Sequence, residues 1–408
     1  MDWSFLISDK SSLNVTTDSR KITPGCVFVA LKGENFDGNR FALQSLEQGA
    51  SLAIVDDEQV YNAIQATGEY SALLVENSLL ALQDLAREWR RYLGTRIIGI
   101  TGTNGKTTTK ELLAAVLNTR YKTHYTQGNL NNSIGVPLTL LQLTKEHELA
   151  IVEMGASHPG DIKELVEVAE PNCGLITNVG KAHLQGFGSF EGVMATKAEL
   201  YDYLRAHGGF CFRNTDNPYL AQMAGDLKTV AYTTGQMPEG THLVGAYNSE
   251  NIQAALCVGE YFGVNREVGL QAIRAYVPSN NRSQKTVTDK NTLIIDAYNA
   301  NPTSMTAAIE AFSHQPSAVS PCYILGAMRE LGEYSHTEHQ NIVNMLLERK
   351  ADHVLLVGDE YRETTAPYPI FSNVDELCEH LRHQPIIGCT VLIKGSRSNQ
   401  LEKVIPLL

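Results

Sequence analysis

The residues best placed to do chemistry lie in one run, I-T-G-T-N-G-K-T-T-T, from Ile100 to Thr109. The residues before it (Ile97, Ile98, Gly99, Ile100) read as a buried strand, and Leu112, Leu113, Val116 and Leu117 after it share one helical face. Strand, glycine-rich turn, Lys-Thr and helix together make a cradle for nucleotide phosphates. Main-chain N–H groups of the turn point at the anion, and the helix N-terminus adds partial positive charge. Lys106 reaches the outer phosphates, and the Thr107 hydroxyl can bind Mg²⁺. The common loop is G-x-x-x-x-G-K-[ST]; Ile100 stands where its first glycine belongs, so the unit here is the shorter G-T-N-G-K-T from Gly102. A plain glycine turn is the alternative, and the flanking strand and helix favour the phosphate reading.

Other residues gain meaning from their distance to that loop. Glu153 ends the run L-A-I-V-E; an acid at a strand tip beside a phosphate loop can hold Mg²⁺. His183 lies in the glycine-marked loop N-V-G-K-A-H-L-Q-G-F-G and is open to a structural or a functional role. Lys197, in G-V-M-A-T-K-A-E-L-Y, reads from pattern alone as a solvated helical lysine. Arg282 sits in a polar stretch, where a cation facing a phosphate pocket could act as an arginine finger does. In D-A-Y-N-A-N-P, Asn301 before Pro302 reads as a helix cap, and Asp296 could accept hydrogen bonds from ribose hydroxyls. Lys394 and Arg397 in L-I-K-G-S-R suit a carboxylate or phosphate, with a surface turn as the alternative.

These positions need elements to hold them. A chain of 408 residues is too long for one ordinary core, so two or three domains are expected. Residues 1–94 carry short apolar runs (Val27–Leu31, Leu52–Val55, Ala72–Val75) and read as a small α/β module. Residues 95–278 alternate strands (Arg96–Thr101, Leu149–Glu153, Gly174–Asn178, Gly209–Asn214) with helices, the signature of a mainly parallel sheet. Ligands on such sheets lie beyond the carboxyl ends of strands, where the phosphate loop, Glu153 and Asn178 fall. Pro278–Gln284 reads as a linker, and residues 279–408 as a second, Rossmann-like α/β unit without a glycine fingerprint.

A net charge of −12 argues against a general nucleic-acid or membrane-surface binder, so an anionic ligand must be met by local cations or metal. The seven cysteines are scattered with no C-x-x-C pair and read as free thiols in a reducing compartment. No signal-like segment and no bilayer-length apolar run is present, so a cytoplasmic, monomeric protein without membrane insertion is expected.

The chain resembles the Mur ligases, which build the peptide stem of the bacterial cell wall. The resemblance covers essentially the whole sequence. Its motifs include T-G-T-N-G-K-T-T-T-K (101–110), N-L-N-N-S-I-G-V-P-L-T-L-L (129–141), E-M-G-A-S-H-P-G-D-I (153–162) and T-N-V-G-K-A-H-L-Q-G-F-G-S-F-E-G (177–192). A-T-K-A-E-L (195–200), Y-N-S-E-N-I-Q-A-A (247–255), D-A-Y-N-A-N-P, L-G-A-M-R-E-L-G (325–332), K-G-S-R and the N-terminal T-D-S-R-K-I-T-P-G-C-V-F-V-A-L-K-G (17–33) follow the same family. Y-N-A-N-P points to the branch that adds D-alanyl-D-alanine, and the D-N-P-R signature of the third-residue ligases is absent.

The resemblance implies three α/β domains: a UDP-binding module, a central P-loop ATPase-like domain and a C-terminal Rossmann-like domain. It implies an ATP-dependent ligase, working through an acyl phosphate, that joins D-alanyl-D-alanine to UDP-N-acetylmuramoyl-tripeptide. ATP phosphates would be bound by Gly102, Thr103, Asn104, Gly105, Lys106, Thr107 and Thr108, with Asn251 at adenine and Arg282 and Asp296 reaching phosphate and ribose. Thr107 and Glu153 would hold one Mg²⁺; His183, with Lys197 carbamylated by CO₂, would help hold a second. Ser19, Arg20, Asn129, Asn131 and Asn132 would address the UDP-sugar, and Asn299, Asn301, Lys394 and Arg397 the dipeptide or peptide stem. The chain departs from the family at Asn281 (commonly Gly), Ala327 (usually Asp) and Ser133 (often acidic). A folylpolyglutamate synthetase would share the ATP half but lack the D-S-R module. A non-catalytic nucleotide switch would not need His183, Lys197 and Arg282 together.

Overall fold

The computed structural model describes residues 1–245, 247–278, 282–314 and 319–408. Asn281, one of the departures above, lies outside them. Apolar, β-branched runs build three separate sheets. The first contains β1 (Val15–Thr16), β2 (Val27–Val29), β5 (Leu52–Val55) and β6 (Ala72–Leu74), all parallel, with a small hairpin of β3 (Lys32–Gly33) and β4 (Phe36–Asp37) beside it.

The second sheet holds β7 (Arg96–Thr101), β8 (Thr123–Tyr125), β9 (Leu149–Glu153), β10 (Cys173–Ile176), β11 (Phe210–Asn214) and β12 (Thr229–Tyr232). It is parallel throughout, in the order β12-β11-β10-β7-β9-β8. The central β7 has β9 on one side and β10 on the other, so the carboxyl ends of these strands open onto one crevice. β9 and β10 are buried along their whole length, which explains their unbroken apolar sequences.

The third sheet, in the order β13-β14-β18-β15-β16-β17, contains β13 (Gln284–Val287), β14 (Thr292–Asp296), β15 (Cys322–Gly326), β16 (His353–Val357), β17 (Ile370–Phe371) and β18 (Thr390–Lys394). It is parallel except for the edge strand β13, which runs antiparallel to β14. Gln284 therefore begins a strand instead of ending a linker. β10 also stops at Ile176, two residues short of the expected end. β8, β12 and β17 have no apolar run long enough to announce them; they are short strands at or next to a sheet edge.

Five helices matter for the site. α1 (Ser78–Leu93) buries Ala81, Leu82, Leu85, Ala86 and Trp89, one stripe of a 3.6-residue repeat. Asn77 caps its start and left-handed Gly94 ends it; Trp89 Nε1 donates to Leu143 O at 3.0 Å, fastening the helix to the second module. α2 (Lys106–Leu117) follows the phosphate loop, and α3 (Phe190–Ala206) carries Lys197. α4 (Asn248–Tyr261) packs against α2. α5 (Pro302–Ser313) begins with Asn301 as N-cap, Pro302 at its first position and a capping box to Ser304, as its sequence predicts. No helix of the described residues is long and apolar enough to cross a membrane.

Candidate active site

The loop between β7 and α2 needs its glycines. Gly102 has φ 138°, and a Cβ there would come within 2.1 Å of Thr177 Oγ1. Gly105 has φ 77°, and a Cβ there would come within 2.4 Å of Asn251 Oδ1. The loop thus lies directly on its neighbours, with Thr103 N and Asn104 N donating to Asn178 O (2.9 Å) and Oδ1 (3.0 Å). Lys106 folds over it, donating to Gly102 O (2.8 Å) and Thr103 O (3.1 Å). Burial lowers the Lys106 pKa; Glu153 opposes that shift and Arg282 adds to it.

Glu153, 2% exposed, is aimed by its neighbours. Its Oε1 accepts from Asn131 Nδ2 (2.8 Å) and Thr107 Oγ1 (3.2 Å), while Oε2 is buried without a hydrogen-bond partner. Asn131, expected at the UDP-sugar, therefore holds the acid at the tip of β9. Lys110, to which the sequence reading gave no role, stands on the same face of α2 as Lys106 and Thr107. It is fully buried, donates to Thr126 O (2.6 Å) and lies 4.0 Å from Glu153 Oε2. Its spacing after Lys106 and Thr107 was the available signal.

Among the described residues, no group of three or more His, Cys, Asp and Glu side chains could hold a metal unaided. An ion here needs ligands from substrate and water as well. That donor set suits Mg²⁺, which commonly takes one or two carboxylates plus phosphate oxygens. The unpartnered Glu153 Oε2 and the adjacent Thr107 hydroxyl fit this demand.

Lys197 corrects the pattern-only reading. It is 2% exposed, because Val193, Thr196, Lys197, Leu200, Tyr201 and Leu204 form the buried face of α3. Burial first, and Lys106 second, hold its amine well below the ordinary lysine range. His183 is in the left-handed region (φ 49°) and pairs through Nδ1 with Glu330 of the third module. Burial lowers its pKa against the opposing pull of Glu330.

The third module supplies the opposite wall. Arg282 lies flat on Tyr298, its guanidinium carbon 3.8 Å from the ring centroid, and Arg397 lies 5.2 Å from the same ring. Asp296 Oδ2 accepts from the buried Lys394 Nζ at 2.6 Å, and Lys394 also reaches Asn299 O at 3.3 Å. Tyr298 and Glu330 were not singled out from sequence, since their partners are remote in the chain.

A cavity of about 920 Å³ joins these pieces. Its wall includes Thr103, Asn104, Gly105, Lys106, Thr107, Thr108, Asn129, Asn131, Asn132, Glu153, His183, Asn251, Arg282, Asp296, Asn299 and Lys394. Gly102, Lys197, Asn301 and Arg397 lie outside that wall, and so do Ser19 and Arg20. Arg20 is exposed and paired with Asp18 at 2.8 Å. Asn251 is committed locally: it accepts from Thr109 Oγ1 (3.0 Å) and donates to Asn248 Oδ1 (2.9 Å). Asn132 caps the turn into the next helix through Gly135 N (2.9 Å). Ser133 lines the cavity, while Ala327 is buried away from it.

Family models match all three modules: "Mur ligase family, catalytic domain" over residues 13–90, "Mur ligase middle domain" over 100–239 and "Mur ligase, glutamate ligase domain" over 281–397. The UDP-N-acetylmuramoyl-tripeptide–D-alanyl-D-alanine ligase of Bacillus subtilis (strain 168) is 34% identical over 427 residues, covering 96% of this chain and 92% of its own. The enzyme of the same name from Escherichia coli (strain K12) is also 34% identical, with 97% and 93% covered. Among solved structures, MurF ligase from Thermotoga maritima in complex with ADP superposes with a TM-score of 0.86 at 28% identity, covering 98% of each chain. MurF from Acinetobacter baumannii gives 0.83 at 30% identity, covering 96% of this chain and 92% of that one. With its three modules matched in order and relatives aligned along nearly its whole length, the chain belongs to the Mur ligase family.

Proposed function

We propose that this protein is an ATP-dependent ligase that adds D-alanyl-D-alanine to UDP-N-acetylmuramoyl-tripeptide, releasing ADP and phosphate. The observation that carries this reading is the facing of Lys106, Thr107 and Glu153 on one module by Arg282 and Asp296 on another, across one cavity. Residues 1–94 would bind the UDP-substrate, 95–278 ATP, and 279–408 the dipeptide side. One chain is the working unit, since a single copy supplies both cavity walls, and the cytoplasm is the compartment where ATP is available.

A free carboxylate is a poor electrophile and must be activated. In the proposed sequence its oxygen takes the γ-phosphoryl group, ADP leaves, the dipeptide amine attacks the acyl carbon, and phosphate departs as the amine loses a proton. Two anions must first be pressed together inside an acidic protein. Lys106 and the loop amides draw charge from the transferring phosphoryl group, and Arg282 does so from the opposite wall. Thr107 and Glu153 would hold one Mg²⁺, and His183 with a carbamylated Lys197 a second, supplying further neutralisation of phosphate and carboxylate oxygens. Asp296, fixed by Lys394, would meet the ribose. Asn299, Lys394 and Arg397 would lie toward the dipeptide. Enclosure between the modules protects the acyl phosphate from water.

The test supplies ATP, Mg²⁺, UDP-N-acetylmuramoyl-tripeptide and D-alanyl-D-alanine and follows phosphate release. Release should require all four. Release without the dipeptide would mark a plain ATPase, and none at all a nucleotide switch. Arg282→Ala is expected to lower turnover by ~10²–10³-fold, as loss of one preorganised donor to developing negative charge does. Its folding free energy should change by less than about 1 kcal/mol, because its contact with the Tyr298 face is a cation–π pair. A large loss in a denaturant titration with little loss of turnover would make Arg282 structural.

A further inference from the structure

The phosphate loop and the turn after β14 are 197 residues apart, yet their tips meet through two asparagine side chains. Asn301 Nδ2 donates to Asn104 Oδ1 at 2.8 Å, and Asn104 Nδ2 returns a bond to Asn301 Oδ1 at 3.4 Å. The orientation of the pair is set from both sides. Asn301 Oδ1 also accepts from Ser304 N at 2.9 Å as the cap of α5. A cap requires an acceptor, so the oxygen must face the helix and the NH₂ is left for Asn104. Asn104 is pinned by its main chain: its N donates to Asn178 Oδ1 (3.0 Å), and its carbonyl accepts from Thr177 Oγ1 (2.6 Å) and Asn178 Nδ2 (3.2 Å). Its side chain is thereby aimed at the third module.

Beside the pair the modules touch closely. Lys181 N donates to Thr303 Oγ1 at 3.0 Å, and a Cβ on Gly180 would lie 2.6 Å from that same oxygen. Asn301 is 5% exposed; its Oδ1 is occupied by Ser304 N and Asn104 Nδ2, and one of its two amide N–H donors by Asn104 Oδ1.

We propose that Asn104 and Asn301 form the latch that fixes the third module over the bound nucleotide, with Asn301 a positioning residue that acts through Asn104. Asp296 ends β14 where that turn begins, and Arg282 lies against Tyr298 of the turn. Holding the turn against the phosphate loop therefore holds both groups over the phosphates. By linkage, whatever closure contributes to nucleotide affinity, nucleotide returns to closure. The latch rests on the proposed binding of nucleotide at the phosphate loop.

Asn301→Ser separates the latch from the cap. Serine caps helices about as well as asparagine but cannot form the amide pair. With N-methylanthraniloyl-ADP as probe, Asn301→Ser should bind roughly fivefold or more weakly than the parent, the scale set by losing two neutral hydrogen bonds. Its melting temperature should be nearly unchanged. Asn104→Ser should also weaken binding, and the double variant should bind no worse than the weaker single one, since both delete one contact. Small-angle scattering with saturating ADP should show a larger radius of gyration for Asn301→Ser. Parent-like binding by Asn301→Ser, or losses that multiply in the double variant, would overturn the latch. Failure of the parent itself to bind the probe would overturn the nucleotide reading beneath it.

Discussion

Lys106→Ala is expected to abolish ATP-dependent ligation, with kcat/KM falling by ~10³-fold or more, the cost of removing a principal stabiliser of a transferring phosphoryl group. The argument is positional. Lys106 is the first residue of α2, so its stem rises beside the loop amides at the positive end of the helix. Among the described residues its ammonium bonds only main-chain carbonyls of the loop it crosses, Gly102 O and Thr103 O. No side chain among the described residues depends on it for a hydrogen bond. Of the two residues whose carbonyls are left behind, Thr103 lines the cavity. The substitution should thus cost activity far more than stability. A coupled ADP-release assay and a thermal melt on the same preparation separate the two. Unchanged turnover in a folded protein would remove Lys106, and the phosphate-loop reading with it.

The contrast between what could and could not be read in advance follows chain distance. The β7–loop–α2 unit was legible because every part of its chemistry is local: apolar strand, permissive glycines, cation, helix face. The cap at Asn301 was legible for the same reason, since Asn-Pro at a helix start is a local signal. Its other partner, Asn104, was not, because only the docking of two modules brings them together. The bond from Asn131 to Glu153 was not legible either; the two meet where the loop before the helix Gly135–Leu141 passes the end of β9. Lys197 was legible in part. Its neighbours Val193, Leu200 and Leu204 follow the helical repeat that marks a buried stripe, and reading the lysine as an exception to that stripe hid its burial. Edge strands such as β8 and β17 gave no signal, having too few apolar residues to show a period.

Burial of Lys197 leads to the second large expected effect. A lysine 2% exposed, with Lys106 as an added positive neighbour, is disfavoured as an ammonium ion. Its pKa lies well below the usual lysine value, so the neutral amine is favoured at a lower pH than for a solvated lysine. A neutral amine can attack CO₂, forming an N–C bond and losing one proton to leave a carbamate. That reaction turns the neutral buried amine into an anion, which the neighbouring Lys106 favours. Lys197→Ala should then lower turnover by ~10²–10⁴-fold, as expected for loss of a group that neutralises or orients the reacting phosphoryl oxygens. Truncation also opens a space inside α3's buried face, and a short carboxylate such as formate or acetate can occupy it. Partial rescue by those anions, but not by chloride at equal ionic strength, is the expected result. The parent should lose activity when bicarbonate is stripped, and ¹³C-labelled CO₂ should give a carbamate resonance that Lys197→Ala lacks. A variant that keeps its turnover, or a parent indifferent to bicarbonate with no such resonance, would leave Lys197 an unmodified buried amine. The burial that the fold imposes on it would then need another reason.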